Sequence, residues 1–141
     1  MRWILATLLL PLSILACAES SPADAGLDSS TDAASLNELL ELAITGMEGH
    51  AQVTEHVCEC GYFCGTIMRI TTEQASCFYA QAGGDTETFR RFFETQAAYS
   101  ADVVACYDEM GCVRPETCAL APPELLRNPP AFYVRGLAIC L

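Results

Sequence analysis

Lysine is absent from this chain of 141 residues, so all seven of its basic residues are arginines. Eighteen acidic residues outnumber them, and the formal net charge at pH 7 is −11. Proteins bind nucleic acid and anionic lipid headgroups largely by neutralising phosphates with Lys and Arg. The composition therefore excludes nucleic acid as an expected partner.

The sequence also lacks the short motifs of common catalytic and metal sites. It has no G-x-S-x-G nucleophile elbow, no H-E-x-x-H zinc motif and no glycine-rich phosphate loop. It has no C-x-x-C redox pair and no ordered Asp-x-Asp-x-Asp calcium loop. We therefore expect no enzyme activity and no cofactor.

One long apolar run is present, and it lies at the N-terminus. Met1 and Arg2 give a positive start, and the uncharged residues 3–16 follow. A helix needs about 20 residues to cross a hydrocarbon core, whereas a shorter run is typical of a signal peptide. We predict that residues 1–16 are an export signal. Its removal takes the net charge from −11 to −12, because Arg2 is its only charged residue.

The run ends in Ile14-Leu15-Ala16-Cys17, which resembles the lipobox of bacterial lipoprotein precursors. The resemblance covers only about the first 20 residues, in keeping with a targeting segment. It implies cleavage before Cys17 and acylation of that cysteine, which makes the lipid bilayer a partner. Ala18 at the next position resembles lipoproteins sent to an outer membrane or the cell surface.

A second interpretation of the same boundary stays open. Ala16-Cys17-Ala18 also fits the small-x-small pattern of ordinary signal peptidase. That cleavage would discard Cys17 with the leader and release a soluble secreted protein.

The segment behind Cys17 is polar and of low complexity. Leu27 is the only large apolar residue in 18–34, among Ser, Asp, Ala, Gly and Pro. Such a segment buries too little apolar surface to offset its ordering entropy. We predict a disordered tether over 17–34, followed by a cysteine-rich domain over 35–141.

Helical signals begin at Ser35, which forms a capping-box pattern with Glu38. Apolar residues then recur at helical spacing. Gly46 and Gly49 leave open whether the segment through Val57 is one bent helix or two. A second helix is predicted from Thr71 or Thr72 to the glycine pair at 83–84.

The longest periodic run is predicted to start after Asp85 or Thr86 and to end at Gly111. Its apolar side comprises Phe89, Phe92, Phe93, Ala97, Val103, Val104, Tyr107 and Met110. Beyond it, residues 123–126 fit one helical turn, and 131–140 are ambiguous between helix and strand. The predicted fold class is mainly α, a small disulfide-rich helical domain.

Eight cysteines lie in the predicted domain: Cys58, Cys60, Cys64, Cys77, Cys106, Cys112, Cys118 and Cys140. An even set in an exported protein predicts a disulfide framework, here of four bridges. The sequence does not choose among the 105 pairings. A bridge between Cys58 and Cys60 is not expected, because a bridge across one intervening residue is strained.

His56, Cys58, Cys60 and Cys64 offer a different interpretation, because thiolates and imidazole bind zinc or copper. On that alternative the chain is a small extracytoplasmic metal-binding or thiol-redox protein. Oxidation competes for the same sulfurs, so we favour a membrane-anchored extracytoplasmic protein with a structural or protein-binding role. The identity of a protein partner is left open.

Overall fold

The computed structural model describes residues 29–62, 64–113 and 115–141, with side chains from residue 35 onward except Pro115. The helices are α1 (Ser29–Glu59), α2 (Thr72–Gln81), α3 (Thr86–Met110), α4 (Glu124–Arg127) and α5 (Ala131–Ile139), with 3-10 turns at Gly111–Val113 and Pro115–Cys118. These residues contain no strand, so the prediction of a mainly α domain is confirmed. None of the described helices combines the length and hydropathy that crossing a membrane requires.

Helix α1 begins at Ser29, six residues before the start predicted at Ser35. Alanine is a strong helix former, and the sequence before Ser35 ends in Ala33-Ala34. The predicted tether therefore overlaps the start of this helix. The rest of the tether, Cys17 and the export signal lie outside the described residues.

One continuous helix spans both Gly46 and Gly49, which settles the choice between one helix and two. A Cβ at Gly46 would lie 3.1 Å from Phe93 Cδ1, and one at Gly49 would lie 2.8 Å from Ser100 Cβ. Both glycines are thus contact points where α3 approaches the backbone of α1. Glycine is unfavourable in a helix interior, and the close packing of α3 that these two glycines allow compensates for that cost.

The caps of α2 and α3 are those expected from the sequence. Thr71 and Gln74 form a reciprocal capping box, with N···O distances of 3.3 and 2.9 Å. Asp85 accepts a hydrogen bond from the Thr88 backbone N–H at 3.0 Å. Gly111 ends α3 with a φ of 58°, a conformation that favours glycine.

The core is an aromatic cluster between α1, α2, α3 and α5. Its rings belong to Phe78, Phe89, Phe92, Phe93 and Phe132, and each of these residues is at most 5 % exposed. Phe92 and Phe93 meet edge to face with ring centroids 5.2 Å apart, an arrangement that aromatic pairs favour. The aromatic stripe predicted for α3 is therefore core, and Phe132 makes α5 a core helix.

Candidate functional site

The eight domain cysteines form four disulfides. The pairs are Cys58–Cys64, Cys60–Cys112, Cys77–Cys140 and Cys106–Cys118. Their Cα–Cα distances run from 4.8 to 5.8 Å, within the normal range. The predicted disulfide framework is confirmed, and Cys58 and Cys60 have different partners, as expected.

Two of the bridges link different helices of the domain. Cys60–Cys112 ties the end of α1 to the end of α3, and Cys77–Cys140 ties α2 to the residue that follows α5. Gln74 Nε2 reinforces the second link by donating to the Cys140 carbonyl at 3.2 Å. The framework therefore holds the helices in one arrangement.

The cluster of His56, Cys58, Cys60 and Cys64 is not arranged to hold a metal ion. Its three sulfurs lie in disulfides, and a disulfide sulfur lacks the thiolate charge that binds zinc. His56 stacks parallel to Tyr107 with ring centroids 5.7 Å apart, and its Nε2 is 3.6 Å from Asp108 Oδ1. Among the described residues, no three His, Cys, Asp or Glu side chains are placed to hold a metal ion.

His50 lies in different surroundings, in a cavity of about 270 Å³ between α1, α3, α4 and α5. The cavity is lined by His50, Phe92, Gln96, Tyr99, Ser100, Pro122, Leu126 and Tyr133. Phe92, Gln96 and Ser100 are buried, whereas the other five are half-buried. The cavity therefore has a buried floor on α3 and a rim that reaches solvent.

Gln96 is the unusual residue of this floor, because its side chain is polar and the residue is only 5 % exposed. Its Nε2 donates weakly to Met47 Sδ at 3.9 Å, and the Tyr133 hydroxyl donates to the same sulfur at 3.8 Å. Gln96 Oε1 has no hydrogen-bond partner among the described residues. A buried acceptor without a partner is rare in folded proteins.

The remaining polar groups of the cavity are neutral at physiological pH. Burial lowers the pKa of His50 below its usual 6.5, which favours the uncharged imidazole. Burial also raises the pKa of Tyr133 above its usual 10.0. The Tyr99 hydroxyl donates to the Leu120 carbonyl at 2.9 Å and so fixes the chain before α4 against α3.

This cavity is absent from the sequence-based expectations. A signal for it exists in α3, where Gln96 and Ser100 continue the helical spacing of the buried Phe89, Phe92 and Phe93 toward Val103. Two polar residues in an otherwise apolar stripe mark a place where the core carries polar groups. The sequence does not show that α4 and α5 close over them.

A second cavity, of about 360 Å³, lies near the C-terminal ends of α1 and α3. It is lined by Val57, Tyr62, Tyr107, Glu116 and Ala119. The 270 Å³ cavity differs from it in having Gln96, whose Oε1 is buried without a hydrogen-bond partner among the described residues, as one of its lining residues. We therefore take the His50–Gln96 cavity as the candidate ligand site.

Comparisons of this chain with protein-family models, with curated proteins and with solved structures give no match.

Proposed function

We propose that the chain is an exported lipoprotein whose acylated Cys17 holds the helical domain on the outer face of a membrane. There the domain has a structural or protein-binding role and no catalytic one. The lipobox-like Ile14-Leu15-Ala16-Cys17 and the following Ala18 favour an outer membrane or the cell surface.

The single observation that supports this most strongly is the cysteine pairing. The chain has nine cysteines, and the four bridges use the eight between Cys58 and Cys140. None of those eight is left as a partner for Cys17. Disulfides form in oxidising compartments outside the cytoplasm, so the framework and the export signal favour the same location.

Acylation would make the attachment lasting. Each buried methylene contributes about 0.8 kcal/mol, so one chain binds a membrane reversibly while two or three chains hold a protein there stably. The lysine-free, acidic chain offers little charge attraction to anionic headgroups. Attachment therefore depends on the lipid at Cys17.

The charge of the domain indicates the chemistry of a protein partner. Arg69 is paired with Glu48 and Glu55, and Arg90 lies 4.0 Å from Glu38. These two arginines pair with acidic residues of their own domain. In the chain as a whole, 18 acidic residues outnumber seven arginines, so the negative charge is in excess. A partner with a basic surface would be complementary to this domain.

Attachment is tested by metabolic labelling with an alkyne palmitate analogue in a bacterium that processes lipoproteins, followed by membrane fractionation. We expect a labelled wild-type protein in the membrane fraction. The Cys17→Ser variant should be unlabelled and leave that fraction. An unlabelled wild-type protein in the medium would instead support cleavage after Cys17–Ala18 and soluble secretion.

A partner is best sought by crosslinking on whole cells. Amine-reactive reagents find no lysine in this chain, so a carbodiimide that couples carboxylates to a partner's lysines is the suitable reagent. We expect a discrete crosslinked band that survives detergent extraction and fades in high salt. A band that persists unchanged in high salt would contradict recognition through charge.

A further inference from the structure

We infer that the second cavity, of about 360 Å³, receives an arginine side chain from the basic surface of a partner protein. Its lining residues are Val57, Tyr62, Tyr107, Glu116 and Ala119, and we call it the Tyr62–Glu116 cavity. The inference deepens the proposed protein-binding role and rests on it, because it names the place and the side chain through which a basic partner is held.

The lining combines the two kinds of group that hold a guanidinium. Tyr62 and Tyr107 bring aromatic rings, and Glu116 brings a carboxylate. The planar guanidinium of arginine stacks on aromatic faces and pairs with carboxylates. Tyr62 is 50 % exposed and Glu116 is exposed, so a partner can reach both, whereas Tyr107 is buried at 7 % and forms part of the wall.

The rest of the lining suits the stem of the same side chain. Val57 and Ala119 supply apolar surface, on which arginine packs its methylenes while its charged head stays paired. A cavity of about 150 Å³ holds benzene, and a guanidinium group is smaller than a benzene ring. The volume of about 360 Å³ therefore has room for the head group and its stem.

Further carboxylates lie beside the wall that Tyr107 forms. The ring of Tyr107 stacks parallel to the imidazole of His56. The Nδ1 atom of that imidazole lies 3.8 Å from Glu59 Oε2, and its Nε2 atom lies 3.6 Å from Asp108 Oδ1. The carboxylates of Glu59 and Asp108 therefore add negative charge next to the cavity.

This charge exceeds the basic residues nearby. Arg114 lies two residues before Glu116 in the sequence and outside the described residues. Even when Arg114 and a protonated His56 are both counted, the carboxylates of Glu59, Asp108 and Glu116 outnumber them by three to two. The surroundings of the cavity are therefore complementary to a cation.

The helix ends beside the cavity favour a cation as well. The Cys60–Cys112 bridge holds the C-terminal ends of α1 and α3 together. A helix C-terminus carries partial negative charge, which a nearby cation stabilises. The last turn of α3 has no basic residue and instead contains Asp108 and Glu109. The end of α3 therefore gains from a positive charge that a partner supplies.

The inference is tested with two capped tripeptides, acetyl-Gly-Arg-Gly-amide and acetyl-Gly-citrulline-Gly-amide. Citrulline has the shape of arginine without its charge. The protein is the mature chain with Cys17→Ser, exported behind an ordinary signal peptide, which keeps every described residue. In titrations of ¹⁵N-labelled protein, we expect saturable amide shifts centred on Val57, Tyr62 and Tyr107, with the arginine peptide bound at least fivefold more tightly. Equal affinity for the two peptides, shifts centred elsewhere or no saturation would overturn the inference.

Glu116→Gln and Glu41→Gln form a matched pair, because each removes one exposed carboxylate. Glu41 precedes Val57 on α1 by a distance of about 24 Å along the helix axis. We expect Glu116→Gln to weaken binding of the arginine peptide at least threefold and Glu41→Gln to leave it unchanged. Equal effects of the two variants would show that only the general acidity of the domain attracts the peptide, which would overturn the inference.

Tyr62→Leu and Tyr62→Phe test the aromatic wall, since only phenylalanine keeps a ring. We expect Tyr62→Leu to bind the arginine peptide at least threefold more weakly and Tyr62→Phe to bind it as the wild type does. Equal binding by both variants would contradict stacking on this ring. The amide spectrum shows whether each variant folds, and the comparison of the two peptides on the wild-type protein decides if one does not.

The protein in this experiment is unanchored, so its result does not depend on acylation of Cys17. A salt-sensitive crosslinked partner on whole cells, together with equal affinity for the two peptides, would overturn the inference and support the protein-binding role. Selective binding of the arginine peptide at the cavity, with no crosslinked partner, would support the arginine site and contradict the role.

Discussion

The ring of Phe78 in α2 lies directly against the backbone of Gly136 in α5. A Cβ built on Gly136 would overlap Cδ1 and Cε1 of that ring. Both residues are buried, so neither has open space into which to move. The contact sets how closely α5 packs on α2, beside the bridge from Cys77 to Cys140.

Gly136→Ala is therefore expected to destabilise the domain by about 1–3 kcal/mol, the usual cost of overpacking a core. The sign of the change in the free energy of unfolding is informative, because a Gly→Ala change in an unobstructed helix stabilises by about 1 kcal/mol. Urea unfolding measures this free energy. Gly65→Ala is the control, since its Cβ would lie 3.7 Å from Thr54 Cγ2 in ordinary contact. A stabilised Gly136→Ala protein would contradict the packing described.

The contrast between caps and contacts explains what the sequence could predict. Thr71, Asp85 and Gly111 act on residues a few positions away, so their roles were readable from local pattern. The contact between Gly136 and Phe78 and the pairing of the cysteines depend on residues that are distant in sequence. No local rule contains that information.

The start of α1 and the His50–Gln96 cavity were missed for different reasons. The Ser35–Glu38 pattern fits a cap, but the helix-forming residues before it extend the helix to Ser29. The cavity needs α3, α4 and α5 brought together, and only Gln96 and Ser100 carry a hint of it in sequence. The chemistry of that site was visible as two polar exceptions, whereas its enclosure was not.

The disulfides are expected to contribute unequally to the free energy of unfolding. Cys77–Cys140 spans 63 residues and Cys58–Cys64 spans 6. Loop-closure entropy gives about 4 kcal/mol for the long loop and about 2 kcal/mol for the short one. Paired Cys→Ser variants of each bridge, compared by denaturant unfolding, should preserve that order. A larger loss from removing the short bridge would contradict it.

His50 is expected to make the domain less stable in acid. Its pKa is lowered in the folded state and returns to about 6.5 on unfolding, so below that pH the unfolded chain binds more protons. The free energy of unfolding should therefore fall as the pH drops below 6.5, and this contribution should vanish above it. His50→Gln removes the effect, so the difference between variant and wild type should shift in the variant's favour from pH 8 to pH 5. Parallel profiles would refute this.

Arg69 is expected to stabilise the domain in a salt-dependent way. Its Nε lies 2.9 Å from Glu48 Oε2 and its Nη2 lies 2.8 Å from Glu55 Oε1, and the side chain is half exposed. Arg69→Ala should lower the melting temperature slightly at low salt and hardly at all in 1 M salt, where charges are screened.

Arg135 supplies the matched control for that comparison. Its Nη2 donates to the Gln81 carbonyl, an uncharged acceptor, at 2.8 Å. The effect of Arg135→Ala should therefore depend less on salt. Equal salt dependence of the two variants would show that the pairing of Arg69 with carboxylates is not what stabilises the domain.

The central claim is tested most directly by the intact mass of the protein purified from its own cells, before and after reduction. We expect a chain that begins at Cys17, carries the added mass of its acyl groups, and gains eight hydrogens only once a reductant opens the four bridges. A chain that still carries residues 1–16, has reduced thiols without treatment, or holds bound zinc would contradict the claim.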